Sequence, residues 1–350
     1  MKQSRTTILL IGAAAIVIVI AGLRSAAGIV GPVVLALSIT IVFHPLRARL
    51  ERRLPVWAAS VVVLLAAYTL IVLMTLAMLV SVGQLAALVP TYAPQINDLV
   101  SGAGDWLAAR GVGSAQVDAV AGAMDVGRVV DAATSILSDV LSILTDLFFI
   151  ITLLLFLAFD SAQVSRLLQN VRPHRPYLVD ALGSFARGTR SYLGVSAVFG
   201  LIVAVIDTVA LALLGVPGAF VWGVLAFVTN FIPNIGFVIG IIPPAVVGLL
   251  EGGPALMLAV IVVYCVVNLV IQSIIQPRYV GNAVGLSTSL TFLSLIFWTW
   301  VLGPLGALLA VPMSLLFRAV LVEANPEAGW ILPLISGHSE DEPEPAVEPA

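Results

Sequence analysis

The chain has 350 residues, 60% of them hydrophobic and 10% charged, with a mean hydropathy of +1.12 and a formal net charge of −3. An average soluble domain is about one quarter charged, so no water-soluble fold could cover this much apolar surface, and lipid must take the place of water. Cys265, the single cysteine, lies in an apolar run, which excludes an intrachain disulfide framework and a Cys/His zinc spacing.

Runs of about 20 apolar residues can each cross a ~30 Å hydrocarbon core. The first, Thr6 to Leu23, follows Lys2 and Arg5; Ser25-Ala26-Ala27 would suit signal cleavage, but a second run, Ala27 to Phe43, follows at once and favours a retained helical hairpin. Arg47, Arg49, Arg52 and Arg53 then stand against Glu51, which puts this stretch and both ends of the hairpin in the cytoplasm. A third run, Val56 to Val82, leads outward. From Gln84 to Asp146 the chain carries Asp98, Asp105, Asp118, Asp125, Asp131, Asp139 and Asp146 against Arg110 and Arg128, a balance expected of an extracytoplasmic layer of amphipathic helices.

The fourth span, Leu147 to Phe159, borrows its first turns from the amphipathic helix before it and returns the chain to the cytoplasm. There Arg172-Pro173-His174-Arg175-Pro176 divides two short amphipathic helices, with Asp160 and Gln163 as an N-cap pair for the first. Tyr192 to Leu214 is the fifth span, and Pro254 to Ile275 the sixth.

Ala219 to Leu250 and Leu286 to Phe317 are too long for one straight crossing and too short for two. The first is broken at Asn230-Phe231-Ile232-Pro233-Asn234-Ile235-Gly236, the second at Leu302-Gly303-Pro304-Leu305-Gly306. Proline removes a helical hydrogen bond and glycine loosens the backbone, and backbone freed at membrane depth persists only where protein or a watery cavity surrounds it. With Arg278 and Arg318 in the cytoplasm, the two segments become re-entrant hairpins of opposite orientation. Ile235-Gly236, Gly240 and Pro243 parallel Leu305-Gly306, Ala310 and Pro312, a faint inverted repeat of the kind that marks a transporter's substrate site. Two long kinked helices are the alternative.

The expected fold is therefore all-α and polytopic, with about six full spans, two broken re-entrant hairpins and a small external helical layer. By region, residues 1–83 form an N-terminal three-span unit, 84–146 the external helices, 147–191 the fourth span and basic hairpin, 192–318 the core transport region, and 319–350 an acidic Pro-rich tail with a disordered end.

Asp207 is the one charged residue well inside a predicted span. An aspartate there costs about 2.5–3.5 kcal/mol on insertion scales and should face the bundle or a cavity. It serves either as a proton or cation site or as an interhelical hydrogen-bonding group. Asn268, Gln272 and Gln276 recur every four residues and form one polar stripe; with Asn230 and Asn234 they could bind a polar solute or join helices. Gly236/Gly240, Gly281/Gly285 and Gly200/Ala204 are helix-packing spacings.

His44, His174 and His338 all lie outside the spans, HExxH is absent, no membrane serine has a basic partner, and one membrane aspartate cannot form a dyad. The chain reads as no enzyme, with no cofactor and no metal. It also lacks a glycine-rich phosphate loop, so energy must come from a gradient or from the substrate itself.

Four further motifs, in order, carry a resemblance: Leu214-Gly215-Val216-Pro217; Asn230 to Gly236 as quoted; Gln276-Pro277-Arg278-Tyr279-Val280-Gly281-Asn282-Ala283-Val284-Gly285-Leu286; and Gly303-Pro304-Leu305-Gly306-Ala307-Leu308-Leu309-Ala310-Val311-Pro312. Over nearly its whole length the chain resembles the autoinducer-2 exporter family of bacterial membrane proteins. It departs from the family's pattern at Asn234, often bulkier there, and at Ser287-Thr288, where His-Pro is common. Asp207 matches none of its motifs.

The resemblance implies a secondary transporter or exporter of small molecules, some members being linked to signalling molecules and others to sodium or proton exchange. The expectation is a multi-pass protein of the bacterial inner membrane with both termini cytoplasmic. It would export a small polar solute or signalling molecule, possess lipid and small-molecule or ion partners, form a homo-oligomer, and bind no nucleic acid. A non-transporting scaffold and an uncoupled pore are the alternatives. Candidate pathway residues are Asp207, Asn230, Pro233, Asn234, Gly236, Asn268, Gln272, Gln276, Pro277, Gly281, Asn282, Gly303, Pro304, Gly306 and Pro312.

Overall fold

The computed structural model describes residues 5–92, 94–95, 101–102, 109–110, 149–157, 160, 163–164, 166–233, 235–276 and 285–336. Among the described residues all regular structure is helical, and the chain is a polytopic all-α membrane protein. The expected external layer lies mostly outside the described residues, as does the end of the acidic tail; Asp160 and Gln163, the expected N-cap pair, are both helical.

The N-terminal region contains α1 (Arg5–Ser25), α2 (Ala27–Leu50) and α3 (Val56–Thr91). The change of composition expected at Gln84 does not end α3, which continues to Thr91; a single glycine, Gly83, is a weak breaker by itself. Residues 149–157 are helical and bury Ile150 and Leu154 against Ala36 and Ala67, between α2 and α3.

The centre of the molecule is α4 (Pro176–Leu213), 38 residues long, or about 57 Å at ~1.5 Å per residue. Here the structure departs from the expectation of a separate amphipathic helix followed by a span. Both belong to one helix, since Pro176 starts it at a position where proline is favoured and nothing between Tyr177 and Tyr192 breaks it. Its arginine-bearing arm packs Ala181 and Phe185 against Val311 and Leu315. Its apolar half carries Asp207.

The first broken segment is α5 (Ala219–Thr229) followed by the part of α6 (Gly236–Asn268) that precedes Gly253; the part after it belongs to the sixth span. At 11 residues α5 spans only about 16 Å and cannot cross a bilayer. Helix α6 doubles back at Gly253, whose φ of 69° and ψ of −165° suit only glycine. A Cβ on Gly248 would lie 3.4 Å from the Met257 nitrogen and 3.3 Å from Val260 Cγ2, so the two halves of α6 run side by side. The second half then passes into π-helical turns over Leu269–Ile275, which the sequence pattern did not announce.

The second broken segment comprises α7 (Thr288–Leu302), α8 (Pro304–Leu308) and α9 (Ala310–Arg318). Gly303, with φ 68° and ψ −149°, makes the reversal, and Trp298 Nε1 donates to Ser314 Oγ at 3.0 Å across it. The two segments close in the same way. A Cβ on Gly236 would sit 1.9 Å from the Thr229 carbonyl oxygen, and one on Gly306 would sit 1.8 Å from that of Trp298. In each case a glycine presses on the carbonyl end of the incoming helix, and the two tips touch: Ile232 and Ile235 pack into the cluster of Trp298, Leu302 and Leu309.

Beyond α9 the chain turns back through Ala319–Glu323 and Pro326–Ile331 into α10 (Leu332–Ser336). Arg318 pairs with Glu323 at 2.7 Å and donates to the Gly285 carbonyl, while Ser287 N donates to Ile335 O at 2.9 Å. The tail as far as Ser336 thus fastens residues 285–287, just before α7.

Candidate functional site

Helix α5 approaches α4 closely because small residues line the crossing. A Cβ on Gly223 would fall 1.8 Å from Thr208 Oγ1 and 2.9 Å from the Ala204 carbonyl, and one on Gly200 would fall 2.8 Å from Asn230 Nδ2. This proximity brings the break after α5 against the middle of α4. Asn230 Nδ2 donates to the Ser196 carbonyl at 2.8 Å, and the Tyr192 hydroxyl donates to the Phe231 carbonyl at 2.9 Å. Backbone opened by Pro233 is therefore bonded within the protein, as the bilayer interior demands.

The amides continue as a chain. Gln272 Nε2 donates to Asn230 Oδ1 at 2.9 Å and to Asn268 Oδ1 at 2.6 Å, and Asn268 Nδ2 donates to the Tyr264 carbonyl at 2.8 Å. Asn230, Asn268 and Gln272 thus join the carbonyl of Ser196 on α4 to the second half of α6. Along this network lies a small cavity lined by Asp207, Thr229, Asn230, Tyr264, Asn268 and Gln272, with Val203 and Phe237 among its apolar walls. It offers about 10 Å³ to a water-sized occupant, on the order of what one water molecule needs.

Asp207 is 0% exposed, and neither of its carboxyl oxygens has a hydrogen-bond partner among the described residues. The cavity lining contains no cationic side chain. A buried carboxyl without a countercharge is stable only when a proton or another cation sits on it, so the chemistry open to this cavity is the binding and release of one small positive charge. Three or more clustered His, Cys, Asp or Glu side chains able to hold a metal do not occur among the described residues.

Of the candidates from the sequence, Asp207, Asn230, Asn268 and Gln272 line this cavity, and Pro233 and Gly236 shape the break beside it. Gln276, half-buried at the end of the π-helical turns, does not line it. Gly303, Pro304, Gly306 and Pro312 belong to the second broken segment, joined to the first through the apolar tips. Asn234, Pro277, Gly281 and Asn282 lie outside the described residues. Sequence reasoning passed over Thr229, Tyr192 and Tyr264; the last stands four residues before Asn268 and continues the Asn268/Gln272 face.

The sequence matches known proteins over most of its length. The sequence model of the AI-2E family transporters matches residues 8–325. The AI-2 transport protein TqsA of Escherichia coli (strain K12) is 33% identical over 315 residues, covering 87% of this chain and 89% of that protein. The "Putative transport protein YhhT" of the same organism is 28% identical over 311 residues, covering 87% and 88%. The chain belongs to the AI-2E family of transporters.

Proposed function

We propose that the protein is a proton-coupled secondary transporter of a small polar solute, with Asp207 as the group that takes up and releases the driving proton. The observation that carries this is the carboxyl of Asp207, wholly buried in the apolar half of α4, without a countercharge in the cavity lining, beside a cavity of about 10 Å³. That volume suits one water-sized guest. The solute's route runs along the touching tips of the two broken segments, and the amides of Asn230, Asn268 and Gln272, which line the cavity with Asp207, couple it to the first of those tips.

The arrangement belongs to a bacterial inner-membrane protein whose broken segments enter from opposite faces, with both termini and Arg318 cytoplasmic and Glu251 outside. The protein works as a homo-oligomer that contacts lipid and solute and no nucleic acid, and it catalyses no covalent chemistry. Broken helices at corresponding positions, freed backbone and a midplane ionisable group are the features on which gradient-driven transporters rely.

Proteoliposomes test the proposal. With AI-2, the solute named for TqsA, as first probe, an imposed pH gradient should drive flux in the parent protein. Asp207→Asn should abolish the dependence on the gradient while insertion and thermal stability persist. Gradient-driven flux retained by Asp207→Asn would remove Asp207 from the mechanism. Flux indifferent to every gradient would mark a pore, and inert protein with all solutes tried would mark a scaffold.

A further inference from the structure

Tyr264 has an environment that packing alone does not explain. Its side chain is 1% exposed and sits in the cluster that holds Leu211, Val216, Val221 and Trp222. Its backbone carbonyl accepts from Asn268, yet its hydroxyl has no hydrogen-bond partner among the described residues. Leaving a buried polar group unpaired costs about 1–3 kcal/mol. A phenylalanine would fill the same space without that cost, so the hydroxyl needs a reason of its own.

The reason lies across the cavity. Tyr264 and Asp207 line the same space, and among the described residues the two carboxyl oxygens of Asp207 are unpaired as well. The amide oxygens of Asn230 and Asn268 both accept from Gln272. The carboxyl, the phenol and the Thr229 hydroxyl, with the second lone pairs of those amide oxygens, can meet a guest, and a space of about 10 Å³ suits one water molecule or hydrated proton.

We propose that Tyr264 is the positioning residue of Asp207: its hydroxyl and the Asp207 carboxyl hold one water molecule between them, and the phenol stabilises the carboxylate through that water. In the release step the proton passes from the carboxyl to the bound water and onward as hydronium, leaving a carboxylate. The phenol keeps its own proton and donates a hydrogen bond throughout. This rests on Asp207 being the proton-coupled group.

Helix α5 has no titratable side chain; Tyr92, in the same apolar cluster as Tyr264, donates to Glu251 at the tip of α6, and Tyr192 of α4 donates to the Phe231 carbonyl. Cys265 and Tyr68, on α6 and α3, are exposed.

The test is the pH profile of gradient-driven flux in proteoliposomes of the full chain. Without the phenol's hydrogen bond the carboxylate is less favoured, so Tyr264→Phe should move the midpoint to higher pH by about one unit, the size expected for a hydrogen bond to a charged group. Replacing Tyr264 by 3-fluorotyrosine, a stronger donor of the same shape, should move it to lower pH, and this variant keeps the question answerable if Tyr264→Phe does not fold. A midpoint unmoved in the fluorotyrosine protein, or moved the same way in both, overturns the assignment. Asp207→Asn separates the layers. If that variant loses the gradient dependence while the Tyr264 variants keep the parental profile, the role of Asp207 stands and that of Tyr264 falls.

Discussion

Gln272 reaches 42 positions back along the chain to Asn230, its Nε2 donating to Asn230 Oδ1 at 2.9 Å while also donating to Asn268 Oδ1 at 2.6 Å. One side chain thereby fastens the break after α5 to the π-helical turns. Truncation by Gln272→Ala unpairs two amide oxygens at once. Interhelical hydrogen bonds in membranes average about 0.6 kcal/mol, and stranded acceptors cost more, so a loss of about 1–2 kcal/mol is expected. Thermal unfolding in detergent should show a lower melting temperature, and flux should fall because the tip is no longer held to the Asp207 cavity.

The glycines at the two reversals respond differently from glycines elsewhere. Alanine at Gly236 or Gly306 would place a methyl within 1.9 Å or 1.8 Å of a backbone carbonyl oxygen, which no rotamer can relieve. Each substitution should cost more than the roughly 1–3 kcal/mol typical of overpacking and should leave little folded protein on size-exclusion chromatography. Gly194 lies in α4 with nothing within 4 Å of an added Cβ. Gly194→Ala should therefore be neutral or stabilise by about 0.5–1 kcal/mol.

At the opposite end of the core, the Tyr92 hydroxyl donates to the Glu251 carboxylate and ties the end of α3 to the reversal within α6. Burial, and then the hydrogen bond and charge of Glu251, push the Tyr92 phenol from 10.0 up to about 12. The sign follows from linkage: a group whose folded-state value is raised stabilises fully below its unfolded value and loses that contribution as pH climbs through the folded one. The tie should therefore weaken between pH 10 and 12. Hydrogen exchange of the peptide around Glu251 should rise across that window in the parent protein, and Tyr92→Phe should show the raised exchange already at neutral pH.

What the sequence made legible has a common physical origin: features expensive in lipid. Proline and glycine runs advertised both reversals, and the cost of a charge singled out Asp207. The four-residue spacing of Asn268 and Gln272 marked a polar face. Tyr264 escaped because a tyrosine in an apolar run is ordinarily packing, and only its unpartnered hydroxyl, in a residue lining the same cavity as Asp207, distinguishes it. The continuity of α4 escaped for another reason. A switch from arginine-bearing to apolar residues changes the solvent around a helix without giving its backbone any cause to stop. The π-helical turns at Leu269–Ile275 have no signature in residue type at all.

Tyr192 offers a way to ask whether the break itself matters. Its hydroxyl, contributed by α4, caps the Phe231 carbonyl, a group that would accept from Ile235 N in a continuous helix; Ile235 N instead donates to Pro233 O at 2.7 Å. Tyr192→Phe strands that carbonyl where water is scarce, at a cost of about 1–3 kcal/mol. If the opened backbone is only a kink, the chain can relax toward helix, and flux should survive with modestly altered stability. If the break is part of the solute's route, the stranded carbonyl will seek another donor and distort the tip. Flux should then fall at least tenfold while expression and membrane insertion stay near parental levels. Measuring flux per inserted protein, with Tyr177→Phe on the exposed arm of the same helix as the comparison, distinguishes the two outcomes.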